Sequence, residues 1–149
     1  MKFGRVVCMS VAILAGMQIF VFEGALAGSA SPDSLGPDNT LFTLVLRDHV
    51  KDGMVDYRAV KSDQRFADYM TLLKKSNPTA IAAIGRLAYW INVYNAFTIQ
   101  IVLDRYPTKS ILNKLAYLTG GSVFKNKLVE LDGKKYSLDS IENDIIRPY

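Results

Sequence analysis

The stretch from Arg86 to Tyr106, closed by Pro107, is the longest apolar run at helical spacing outside the N-terminal segment, and it holds the single tryptophan, Trp90. Ile84, Leu87, Ile91, Tyr94, Thr98 and Val102 recur on one face, and Trp90, Phe97 and Ile101 widen it until little of the helix is left for water. A helix apolar nearly all round belongs at the centre of a domain, so the pattern predicts a central helix over about 80–106. Proline cannot continue it and drives the preceding residue out of the helical region. Two amides, Asn92 and Asn95, interrupt the apolar run. An unpaired amide in such surroundings costs about 1–3 kcal/mol. Each therefore either ties down backbone groups of an adjoining loop or lines a small polar pocket. Helical winding puts the two on one side, with Tyr89 a turn before Asn92.

The chain has 149 residues, half of them hydrophobic, enough for one domain with its own core. Part of that hydrophobicity precedes the domain. Lys2 and Arg5 form a basic start, Val6 to Phe22 an apolar centre, and Ala25, Leu26 and Ala27 the small-residue site that a signal peptidase accepts. Residues 1–27 read as a secretory signal cleaved after Ala27, and 28–39, rich in Gly, Ser, Ala, Pro and Asp, as a disordered leader. The expected location is exported, periplasmic or extracellular, with no stable membrane span after cleavage. The alternative is an uncleaved anchor, since the run is near the lower limit of about 17 residues for a spanning helix. Losing Lys2, Arg5 and Glu23 lowers the formal charge from +4 to +3. With no long basic cluster, nucleic acid is not an expected partner. Cys8 lies inside the signal, so the mature chain is expected to lack a thiol.

Residues 40–149 are expected to form one domain. Asp38 or Asn39 can cap a helix from Thr40 to Val50 with Leu41, Leu44 and Val45 as its stripe and Gly53 as its stop. His49, the single histidine, is best explained as a structural residue near that helix's C-terminus. Met54 to Tyr57 reads as a short extended element. A second helix starts near Ser62 or Asp63 and buries Phe66, Tyr69, Met70 and Leu73. Ser110 can cap a short helix to Leu118, followed by a break at Gly120 and Gly121. Asp132 and Gly133, between Lys127–Leu131 and Lys134–Tyr136, predict a β-hairpin over about 127–137. Asp139 with Glu142 three residues on makes a capping-box pattern for a last helix with Ile141, Ile145 and Ile146 inside. Glu142 can instead be an inward carboxylate. The fold class is α+β, a mostly helical single domain with one hairpin.

Familiar chemistry is missing from this pattern. One histidine, no mature cysteine and scattered carboxylates give no metal-ligand set, so neither a metal nor another cofactor is expected. Gly120 and Gly121 have no Lys-Ser or Lys-Thr behind them, which excludes a phosphate loop, and no G-x-S-x-G elbow exists. Catalytic residues are therefore unknown. The candidate pocket-lining residues are Tyr89, Asn92, Asn95 and Glu142.

Val55-Asp56-Tyr57, the run from Ala88 to Ala96, the run from Tyr106 to Ile111, and the run from Leu138 to Arg147 together resemble domain-of-unknown-function family 547 (DUF547), in order and in spacing. The resemblance implies a domain of exported bacterial proteins without an established activity, with a distant relation to papain-like or transglutaminase-like folds. It also implies that a strand with a His and a loop with a Cys would follow, so the chain is expected to be truncated before them. Asn143 stands where such a domain usually has a His. A thiol mechanism needs a thiolate and a base, which the mature chain does not offer. Two functions follow as expectations. One is an envelope binding module for a peptide, glycan or protein. The other is a truncated remnant of a papain-like hydrolase or acyltransferase lacking its nucleophile. An unstable fragment without a function of its own is the third possibility.

Overall fold

The computed structural model describes residues 36–107 and 123–149. Asp38 opens the first helix by accepting hydrogen bonds from the Thr40 N–H and hydroxyl through Oδ1 (2.9 and 2.6 Å). Helix α1 spans Thr40–His49. Asn39, the other expected cap, turns its amide oxygen to the Tyr69 hydroxyl instead (2.7 Å). The inner face of α1 is Phe42 and Val45, with Leu41 and Leu44 half-buried beside it, a small rotation of the expected stripe.

Gly53 does not stop α1. It is the second residue of a tight turn in which Asp52 and Gly53 both have positive φ, 53° and 72°, joining β1 (Val50–Lys51) to β2 (Met54–Val55). The same pair of residue types, Asp132 and Gly133 with φ of 47° and 73°, joins β3 (Val129–Leu131) to β4 (Lys134–Tyr136) in the predicted hairpin. Both hairpins are antiparallel, with Val50 opposite Val55 and Val129 opposite Tyr136. Positive φ at both central residues is what a two-residue turn needs to follow the strand twist. The first pair escapes a sequence reading because two-residue strands leave no alternation around it.

Asp56 then caps a short helix α2 (Tyr57–Lys61), also unexpected, by accepting from the Ala59 N–H. α3 (Gln64–Lys75) starts beside the expected Ser62 or Asp63, with Asp63 as its cap, and buries the expected Phe66, Tyr69, Met70 and Leu73. Phe42 of α1 stacks on Tyr69 of α3 with ring centroids 4.8 Å apart and planes 3° from parallel.

A 3₁₀ turn at Pro78–Ala80 leads into the central helix α4, Ala83–Leu103, a few residues shorter at each end than expected. From Tyr89 to Leu103 every residue is buried except Ile91, Asn92 and Gln100. Ile84, expected on the inner face, is 75% exposed, at the start of α4, where no residue from Ala83 to Ala88 is buried. Trp90 meets Tyr89 and Tyr136 edge to face at 5.4 and 5.2 Å, docking the β3–β4 hairpin on α4. The hairpin tip is tied to α3 by the Asp132 N–H, which donates to the Lys74 carbonyl (2.9 Å).

The last segment differs from expectation in its cap. Ser137 and Ser140 form the capping box: the Ser137 hydroxyl accepts from the Ser140 N–H (3.0 Å), and Ser140 Oγ accepts from the Ser137 N–H (3.2 Å). The Asp139 N–H is spent on the Phe124 carbonyl instead. Helix α5 (Leu138–Ser140) widens at once into a π turn over Ile141–Ile146, where the Arg147 N–H reaches back five residues to the Glu142 carbonyl (2.9 Å). The result is a mostly helical α+β domain with two small antiparallel hairpins. No helix among the described residues is long and apolar enough to cross a membrane. The signal, the leader up to residue 35 and the short helix expected after Ser110 lie outside the described residues.

Candidate functional site

Four residues were expected to share a pocket: Tyr89, Asn92, Asn95 and Glu142. The structure gives each a different situation. Tyr89 is buried, and its hydroxyl lies 2.7 Å from Ser76 Oγ. Ser76 already donates to the Leu73 carbonyl (2.6 Å), so Tyr89 is the donor. Burial, opposed by the Ser76 hydrogen bond, pushes its phenol up to about 12. This hydroxyl fastens the end of α3 to α4. Asn95 is 1% exposed, and no buried side-chain nitrogen or oxygen among the described residues lacks a hydrogen bond, so its amide is satisfied inside the protein.

Glu142 is not a cap. The π turn aims its carboxylate at α4, where Oε2 accepts from the Tyr94 hydroxyl (3.1 Å), while Oε1 accepts from Arg147 (2.9 Å). The side chain keeps 26% of its surface exposed. Tyr94 was missed as a site residue because it fits the apolar stripe. The signal was available, since a buried tyrosine hydroxyl needs a partner. Thr98, one turn on, donates to the Tyr94 carbonyl (2.7 Å), and Gln100 donates to Asp104 (2.7 Å).

Asn92 is the exception. It is half-buried, yet its amide makes no hydrogen bond among the described residues. Every other amide or hydroxyl side chain of α4 is hydrogen-bonded, so among the described residues Asn92 is the one of them that leaves its donors and acceptor unused. Two residues from Tyr94, it stands about 200° around the helix. The Tyr94–Glu142 pair and Asn92 are thus separate polar positions, and the expected single cluster divides.

A second polar group joins α1 to α3. His49 Nε2 is 2.8 Å from Asp63 Oδ2, Arg65 holds the same carboxylate (2.6 Å), and its other nitrogen reaches Asp48 (2.9 Å). The Arg65 hydrogen bonds first, then that of His49, hold the Asp63 carboxyl well below the usual carboxylate range against the opposing effect of burial. A depressed folded-state value contributes stability that is present above the ordinary carboxylate value of about 4 and lost as pH falls through the depressed one. The urea midpoint should therefore fall steeply below about pH 4. Asp63→Asn, which keeps a capping side chain, should flatten that acid limb. An unchanged limb would show that this network does not carry the acid sensitivity. His49 thus has the structural place expected of it, on the carboxylate that caps α3.

No group of three or more His, Cys, Asp or Glu side chains capable of holding a metal occurs among the described residues. The arrangement defines a class: a mostly helical α+β module whose central helix, among the described residues, spends all but one of its amides and hydroxyls internally. Residues 79–149, which hold α4, the β3–β4 hairpin and the capped π turn, match the model of the family described as "Protein of unknown function, DUF547". The Val55-Asp56-Tyr57 part of the resemblance precedes the matched residues. No curated protein and no solved structure matches the chain.

Proposed function

We propose that this DUF547-type protein is an exported binding module of the cell envelope, holding a peptide, glycan or protein partner against the Asn92 side of α4. The observation that carries the reading is the unspent amide of Asn92. A primary amide offers two donors and one acceptor with two lone pairs, which suits a peptide bond or a sugar hydroxyl. Holding it half-buried between apolar neighbours excludes competing water from a bound partner. Export is supported by the basic, apolar and small-residue order of residues 1–27.

The test takes the protein from the envelope fraction of the expressing cell, where its N-terminus is expected at Gly28, and screens it against immobilised peptides and oligosaccharides. A ligand should be retained by the parent and lost by Asn92→Ala, at a stability cost under about 0.5 kcal/mol. A ligand whose binding ignores Asn92→Ala, or no retained ligand at all, would overturn the proposal.

A further inference from the structure

The hydrogen bond from the Asp132 N–H to the Lys74 carbonyl brings two basic segments together that are far apart in sequence. Lys74 and Lys75 end α3, while Lys134 and Lys135 follow the β3–β4 turn, and all four side chains are exposed. Lys134 stands opposite Leu131 and so shares the side of the hairpin that carries that buried residue. Lys135 stands opposite Glu130 on the outer face and makes the one ion pair of the group, at 3.9 Å. Lys74, Lys75 and Lys134 have no ion pair among the described residues. The acidic residues of the hairpin and its turn, among the described residues, are Glu130 and Asp132. The helix dipole accounts for lysines in the last turn of α3. It does not account for a second pair carried to the same place by another element.

The composition of the surface selects its partner. All four cations are lysines, which act as point charges on flexible stems and lack the planar fork that reads one phosphate or carboxylate. The aromatic ring next to them, Tyr136, packs edge to face on Trp90 and is not free to stack a base. Two large apolar side chains are exposed on the same two segments: Leu72, 41% exposed and one turn before Lys75, and Leu128, 45% exposed and just before β3. Diffuse positive charge with neighbouring exposed leucines is the pattern of adsorption to a lipid surface.

We propose that this end of the molecule, where the β3–β4 turn meets the last turn of α3, is a docking surface for a membrane containing anionic phospholipid. The lysines meet lipid phosphates, and Leu72 and Leu128 enter the interface. The attachment is peripheral and involves no spanning helix. It uses neither Asn92 nor its ligand, so this surface and the binding site proposed on α4 can fail independently.

The test is sedimentation of the purified protein with vesicles of phosphatidylcholine alone or of an equimolar mixture with phosphatidylglycerol. The protein should co-sediment with the mixed vesicles only, and added salt should release it. Each lysine near an anionic surface changes partitioning by about fivefold, so Lys75→Gln/Lys134→Gln should weaken binding by about 25-fold. The control Lys51→Gln/Lys61→Gln, on β1 and α2, should bind as the parent does. Leu128→Ser should weaken binding without abolishing its salt dependence. Because every altered side chain is exposed, the urea midpoints should stay at the parent's value, which separates lost docking from lost folding. Three outcomes would overturn the proposal: equal binding to both vesicle types, no binding to either, or undiminished binding by the Lys75/Lys134 variant. Binding to soluble polyphosphate without binding to vesicles would also overturn it.

Discussion

Replacing Trp90 by alanine should lower the stability of the folded chain by about 4 kcal/mol, near the middle of the range for deleting a buried aromatic side chain. Trp90 is 5% exposed and is where α4, the start of its own turn at Tyr89 and the β3–β4 hairpin come together. Its loss removes apolar burial and two edge-to-face contacts, each worth about 0.5–1.5 kcal/mol beyond the area they bury. A two-stranded hairpin is marginal without a covering layer, so the cavity cannot close by keeping β3–β4 in place. Against a total stability of about 5–15 kcal/mol, such a loss would leave a small margin or none. Urea unfolding measures it. A cost below about 1.5 kcal/mol would mean that the hairpin does not depend on this docking.

Phe42→Ala should cost a similar amount, about 4 kcal/mol, at the other end of the core. Phe42 is 2% exposed, lies flat on Tyr69 and stands 6.4 Å from Phe66. Its ring thus joins α1 to two aromatic residues of α3. Phe42→Leu keeps most of the volume and should cost markedly less, which separates burial from ring stacking. Equal costs for the two variants would place the whole effect in the stack itself. Thermal unfolding of the two variants beside the parent makes the comparison.

The contrast between what the sequence discloses and what it hides follows from range. The central helix was legible because its apolar period runs for more than 20 residues and Pro107 closes it; α4 ends at Leu103, close to that stop. α3 was legible for the same reason, with Asp63 as a recognisable cap and Phe66, Tyr69, Met70 and Leu73 all inside. β2 falls inside the extended element read over Met54–Tyr57, but its end at Asp56, β1 and the pairing of the two were not legible, since two residues per strand carry no period. The cap of the last segment was misread because Ser137–Ser140 and Asp139–Glu142 both fit a capping pattern, and only the Asp139 N–H to Phe124 contact, made across the fold, decides between them. The same limit governs the site. Asn92 and Asn95 are alike in sequence, three residues apart in one apolar run, yet one is sealed in the core and the other reaches its edge. Which of them is spent depends on what packs over each, and no local pattern records that.

The claim that α4 spends Asn95 on the fold and leaves Asn92 for a partner is tested most directly by the unfolding free energies of Asn92→Ala and Asn95→Ala in parallel. Asn95→Ala should lose about 2 kcal/mol, because removing a buried hydrogen-bonded amide leaves its partners unsatisfied, and Asn92→Ala should lose under about 0.5 kcal/mol. Equal losses, or a larger loss at Asn92, would contradict it and make both amides part of the scaffold.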